Sequence, residues 1–206
     1  MPTLQSVRYR LRDAVSKYFE QPAAAFLARV GFTANRATMA GVALTGGAAY
    51  FAATGHFLLA GLLNAGGALF DLLDGAIARR QNAVTKRGAL LDSTVDRVAE
   101  GMVLIGLAWW YTGALSYHQT GILLAFIAFA GSMMVSYVRA RAEGLGHKGT
   151  SGFLTRPERV AIMTVGLLIG RPLPALWILA VGAPLSALHR FWAEWRSMGK
   201  SEKEQP

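Results

Sequence analysis

Four aspartates stand where aspartate is costly. Asp71 and Asp74 interrupt one long apolar stretch of the chain, and Asp92 and Asp96 interrupt the next. A carboxylate at the centre of a membrane helix costs on the order of 3 kcal/mol on insertion scales. Spacings of three and four residues put each pair on one helical face. The short connection 80–88 lets the two faces meet. Carboxylates that converge repel one another and require cations. An all-oxygen ligand set selects a hard divalent ion, Mg2+ or Mn2+. Four Asp suit two ions better than one, the arrangement that clamps a phosphoryl transfer. On spacing alone two other readings stay open: salt-bridged structural acids, and the relay acids of a small cation or proton transporter.

The elements that would carry these residues follow from composition. The chain has 206 residues, 53% hydrophobic and 16% charged, with no Cys. Soluble domains carry about 25% charged residues. No Asp, Glu, Lys or Arg occurs from Ala37 to Phe70 or from Gly101 to Val138. Each run can supply two bilayer crossings of about 20 residues. This excludes an ordinary soluble domain, a disordered chain and a disulfide-rich secreted one. A net charge of +9 raises the question of nucleic acid. Its distribution argues for topology instead and against a nucleic-acid partner. All Lys and Arg except Arg171 fall in the blocks 8–36, 79–97, 139–159 and 190–203, separated by apolar runs. Helical hairpins across each gap put all four blocks on one side, which the positive-inside rule makes cytoplasmic.

The pattern predicts an all-α integral membrane protein of the cell (inner) membrane. Six transmembrane helices are expected at roughly 36–54, 57–80, 89–112, 118–142, Pro157–Gly170 and Pro172 to about Trp195, with a kink at Pro184. Within residues 2–20, Leu4, Val7, Leu11, Val15 and Tyr18 recur at helical spacing beside basic neighbours. They predict an amphipathic juxtamembrane helix lying on anionic lipid, or on the protein's own cytoplasmic face. The expected organisation is an interfacial segment 1–30, a six-helix domain 31–196 and a polar tail 197–206. Both termini and the active site would be cytoplasmic.

The stretch Asp71-Leu-Leu-Asp74-Gly75-Ala-Ile-Ala78-Arg79, followed by Gly88-Ala-Leu-Leu-Asp92-Ser-Thr-Val-Asp96, resembles the signature of the CDP-alcohol phosphotransferase family. Asp71, Asp74, Gly75, Ala78, Arg79, Gly88, Asp92 and Asp96 stand at its specified positions, and the six-span layout is similar too. The resemblance implies a phospholipid-synthesising transferase that uses CDP-diacylglycerol and works as a homodimer with two Mg2+ or Mn2+ ions per site. It implies that Asp71, Asp74, Asp92 and Asp96 are metal ligands. Asp96 would also be the general base, taking the proton from the alcohol that displaces CMP. Gly75 lets a bulky diphosphate approach the helix. Arg79 offers a planar fork for phosphate oxygens, or snorkels from a helix end. Gly88 allows close contact with the neighbouring span. Thr85 is either a phosphate or nucleotide partner or an ordinary loop threonine. The segment Thr33-Ala34-Asn35-Arg36-Ala37-Thr38 is similar to the family's element before the first span, although Ala34 stands where Pro is frequent. By that likeness Asn35, Arg36, Ala37 and Thr38 line the CDP-diacylglycerol site. Read by itself, the segment is a Thr N-cap and a helix start.

The acceptor is read from a second group of residues. Ser136, Arg139 and Arg141 end the fourth predicted span, Arg156 and Arg159 begin the fifth, and Arg190 lies near the end of the sixth. They are either topology residues or a phosphate pocket made of Ser136, Arg139, Arg141, Arg159 and Arg190. A neutral acceptor does not need such a pocket and a phosphorylated polyol does. The pattern SYVRARAE…RPERV, with Ser93 and Arg97 beside the later aspartates, is similar to the family's branch that makes phosphatidylinositol phosphate or archaetidylinositol phosphate. That resemblance implies transfer of a phosphatidyl group from CDP-diacylglycerol to inositol 1-phosphate. Glycerol 3-phosphate, the acceptor of a phosphatidylglycerophosphate synthase, is the alternative within the family.

Overall fold

The computed structural model describes residues 18, 20–81, 83–147 and 152–204, with residues 201–204 as backbone only. The amphipathic helix expected over residues 2–20 lies outside the described residues, apart from Tyr18 and Glu20. Seven α-helices are present among the described residues: α1 (Gln21–Arg29), α2 (Ala34–Ala53), α3 (Phe57–Arg80), α4 (Lys86–Trp110), α5 (Gln119–Gly144), α6 (Arg156–Leu168) and α7 (Pro172–Glu204).

Local chemistry sets the helix ends. Thr33 Oγ1 accepts from the backbone N–H of Arg36 at 3.4 Å and starts α2. Thr85 Oγ1 accepts from Gly88 N–H at 3.0 Å and starts α4. Both satisfy donors that a helix start leaves orphaned. The turn expected at Thr54–His56 is present, with Gly55 at φ 80°. Thr155 precedes α6, whose first turn holds Pro157. Helix α7 runs through Pro184 and past Trp195 to Glu204. The segment expected as a polar tail therefore continues the helix, since Arg, Met, Lys and Glu are good helix formers.

Among the described residues, three helices are long and apolar enough to cross a membrane: α3, α5 and α7 over Pro172–Lys200. The other three predicted spans do not meet that standard individually. Helix α2 is rich in Gly, Ala and Thr. Helix α4 carries Asp92, Asp96, Arg97 and Glu100. Helix α6 has 13 residues.

The chain divides into two units, Met1–Thr45 with Gly66–Asp96, and Gly46–Ala65 with Arg97–Pro206. In the first, Ala24, Ala37, Ala76 and Ile77 form a small core with Phe32 and Phe70 against it. A Cβ on Gly41 would stand 3.2 Å from the Gly67 carbonyl oxygen, so α2 and α3 approach backbone to backbone. In the second, Ala48, Val103, Leu107, Leu124, Leu167 and Leu176 belong to a larger core. A Cβ on Gly106 of α4 would meet the Ala49 carbonyl oxygen of α2 at 2.3 Å. Small residues thus set the interhelical distances in both units.

Candidate active site

Helix α3 places Asp71 and Asp74 one turn apart in its second half, and α4 brings Asp92 from its second turn. One carboxylate oxygen from each of these three lies within 4.8 Å of the other two. Asp74 is buried. Its Oδ2 accepts the Thr38 hydroxyl from α2 at 2.7 Å. That hydroxyl also lies 3.1 Å from the Ala34 carbonyl oxygen. Three like charges this close destabilise one another unless a cation intervenes. The donors are all oxygen, which fits a hard divalent ion. Asp96 stands one turn beyond Asp92 on the same face of α4, outside the group of three whose oxygens converge.

The residues expected around CDP-diacylglycerol divide. Arg79 folds back along its own helix: a Cβ on Gly75 would stand 3.3 Å from Arg79 Nη1. Gly75 therefore makes room for a guanidinium as well as for any ligand. The Arg79 guanidinium also pairs with Glu20, whose side chain is nearly buried while that of Arg79 is largely exposed. Ala37 packs in the core of the first unit. Asn35 and Arg36 are exposed on the first turn of α2. The Arg36 guanidinium donates to the Gly31 carbonyl at 3.3 Å. Thr85 caps the start of α4 through its hydroxyl oxygen.

The arginines lie in the second unit. Arg159 is 2% exposed and Arg190 3%. Arg159 is held in a fork by Glu100, with Nε–Oε1 at 2.6 Å and Nη2–Oε2 at 2.8 Å. Its Nη1 donates to the Leu154 carbonyl at 3.2 Å. Arg190 is within electrostatic reach of Arg139 and Arg159, and of Glu143 and Glu194. Arg139 pairs with Glu143 one turn on, at 2.8 Å, and both are exposed. Arg141 is exposed in the last turns of α5, and Ser136 is half-buried one turn before Arg139. The structure thus gathers Arg139, Arg159 and Arg190, and engages Arg159 with a carboxylate. Sequence reasoning missed Glu20 and Glu100. Each finds its arginine 59 residues away, a separation with no local periodicity.

Comparison with known proteins bears on this arrangement. The family model for CDP-alcohol phosphatidyltransferase matches residues 32–189. A phosphatidylinositol phosphate synthase of Mycobacteroides abscessus is 38% identical over 187 residues, 86% of this chain and 84% of that protein. The crystal structure of the Mycobacterium tuberculosis phosphatidylinositol phosphate synthase with CDP-DAG bound matches with a TM-score of 0.77 and 31% identity, covering 86% of this chain and 94% of that one. The same enzyme in complex with manganese and citrate matches with a TM-score of 0.78 and 31% identity, covering 86% and 89%. The family model spans most of the chain and the relatives exceed 30% identity over more than four fifths of it, so the chain is a transferase that belongs to the CDP-alcohol phosphatidyltransferase family.

Proposed function

We propose that this protein transfers the phosphatidyl group of CDP-diacylglycerol to inositol 1-phosphate, releasing CMP. The observation that carries the proposal is the convergence of Asp71, Asp74 and Asp92 within 4.8 Å. The names of the relatives support the choice of acceptor.

Asp71, Asp74 and Asp92 would hold divalent metal, with Asp96 as a further ligand. Bound Mg2+ or Mn2+, as two ions, would neutralise the diphosphate and the departing CMP. Thr38 fixes the rotamer of Asp74 by its hydrogen bond. Arg79, steered by Glu20, receives oxygens of the diphosphate, and Gly75 keeps the helix surface low beneath them. Asn35, Arg36, Ala37 and Thr85 belong to the nucleotide side. Asp96 accepts the proton of the acceptor's hydroxyl as that oxygen bonds to the lipid-side phosphorus and the bond to CMP breaks. Ser136, Arg139, Arg141 and Arg190 grip the acceptor's phosphate, with Arg159 serving the same pocket. The chain would cross the cell membrane six times as a homodimer, with residues 1–30 on the cytoplasmic surface and the chemistry on that side.

An acceptor screen tests the proposal. Purified protein with CDP-diacylglycerol and Mg2+ should release CMP with inositol 1-phosphate, and far more slowly with glycerol 3-phosphate, serine or free inositol. Preferential CMP release with any of the other three would overturn the choice of acceptor.

A further inference from the structure

The buried side of Arg190 is shaped by a short backbone segment that the chemistry above does not use. Gly152 lies at φ +124°, a conformation that L side chains rarely adopt. A Cβ there would stand 2.8 Å from Arg190 Nη2 and 3.0 Å from Nε. The guanidinium therefore rests directly against main chain. Two residues on, Leu154 is tied at both of its backbone polar groups. Its N–H donates to Ser186 Oγ at 3.1 Å, and its carbonyl accepts from Arg159 Nη1 at 3.2 Å. Ser186 is fully buried on α7, one turn before Arg190. Arg159 is in turn forked by Glu100 of α4, one turn beyond Asp96.

We propose that residues 152–155 form a clamp that sets the aim of Arg190, anchored at Ser186 and at the Glu100–Arg159 pair. Gly152, Ser186, Glu100 and Arg159 are then positioning residues for acceptor recognition. The proposal deepens the assignment of Arg190 to the acceptor's phosphate and rests on it. An arginine has many rotamers, and one that must meet a phosphate bidentately gains from being confined beforehand. The wall at Gly152 confines it on one side, and the tether at Ser186 stops that wall from retreating. Arg159 has three of its donor groups engaged with protein oxygens. A buried ion pair of this kind contributes little net stability, and one use of such pairs is to fix a single arrangement. Here it holds the Leu154 carbonyl, and through it the clamp, at a fixed place relative to α4.

Gly152→Ala is the informative variant, because it displaces the Arg190 guanidinium while deleting no functional group. Steady-state CMP release by the full-length protein gives KM for inositol 1-phosphate and for CDP-diacylglycerol separately. Arg190→Ala should raise the acceptor KM by about 10- to 100-fold, the loss of one charge-assisted hydrogen bond or more. Gly152→Ala should raise it by roughly 5- to 20-fold and leave the CDP-diacylglycerol KM within about 2-fold. In an Arg190→Ala background, Gly152→Ala should add less than about 2-fold, since its effect passes through a side chain no longer there. Equal factors in the two backgrounds would show a merely structural role and overturn the clamp. An unchanged acceptor KM in Gly152→Ala, with a raised one in Arg190→Ala, would overturn the clamp and leave the acceptor site standing. An unchanged KM in Arg190→Ala would overturn the acceptor site and the clamp with it. Ser186→Ala, which cuts the tether without strain at Gly152, should show the same dependence on Arg190. It decides the matter if Gly152→Ala does not fold.

Discussion

Thr38 contributes one hydroxyl, and what it touches makes that hydroxyl matter. Asp74 is buried beside two other carboxylates, and Thr38 supplies one hydrogen bond to it from α2. A bond to a charged acceptor is worth about 1.5–3 kcal/mol. Thr38→Val keeps the shape and removes the donor. It should raise the Mg2+ concentration for half-maximal activity by about 10-fold, read from a metal titration of CMP release; an unchanged titration would remove Thr38 from the site. Asp96→Asn should abolish turnover while CDP-diacylglycerol binding persists, because an amide cannot take the proton. A near-normal rate would assign the base elsewhere. Excess chelator should stop the reaction and added Mg2+ or Mn2+ should restore it. At this scale the aspartates were legible because charge inside an apolar run is conspicuous along the chain. Glu20 and Glu100 were not, since neither spacing nor composition joins an acid to an arginine 59 residues away.

Gly46 and Gly106 look alike in sequence, two glycines in apolar helices. A Cβ on Gly46 meets nothing within 4 Å, whereas one on Gly106 would meet the Ala49 carbonyl oxygen at 2.3 Å. Backbone cannot step aside as a side chain can, and overpacking costs about 1–3 kcal/mol. Gly106→Ala should therefore lower the thermal midpoint in detergent by several degrees. Gly46→Ala should leave it unchanged or raise it slightly through helix propensity. The turn at Thr54–His56, the start at Thr33 and the start near Pro157 were readable because caps, prolines and glycines act locally, whereas the capping bond between Thr85 and Gly88 was not foreseen. Which small residues lie at helix contacts depends on helix rotation, which low-moment, all-round apolar helices do not display.

Over the whole molecule, the clustering of Lys and Arg predicts sidedness, and the lack of Cys makes it measurable. Leu115, in the turn between α4 and α5, and Lys200, near the end of α7, are both exposed. In intact cells an impermeant maleimide should label Leu115→Cys and should reach Lys200→Cys only after lysis. The reverse pattern would overturn cytoplasmic placement of the C-terminus. The division into two units was not legible in the sequence. It cuts α2 after Thr45, α3 before Gly66 and α4 after Asp96, and no change of composition marks those points.

The helices also differ in how readily each could enter lipid by itself, and this bears on how the protein is made. Those long and apolar enough, α3, α5 and α7, alternate along the chain with α2, α4 and α6, which are not. A nascent chain emerges in order, so each reluctant helix is succeeded by a willing one. Helix α4 is the extreme case. Its Glu100 is synthesised well before Arg159, the partner that compensates it. An acid at the centre of a span costs about 2.5–3.5 kcal/mol at the translocon, so α4 should not settle in the bilayer when it is the last helix made. A chain truncated after Tyr111 and carrying a C-terminal glycosylation reporter should leave that reporter largely untranslocated. Extending the chain through α6 should bring in the α4–α5 turn, read by a reporter placed at Leu115, and Arg159→Ala should reduce that recovery. Efficient entry of the shorter chain would show instead that α4 inserts without help from α5 and α6.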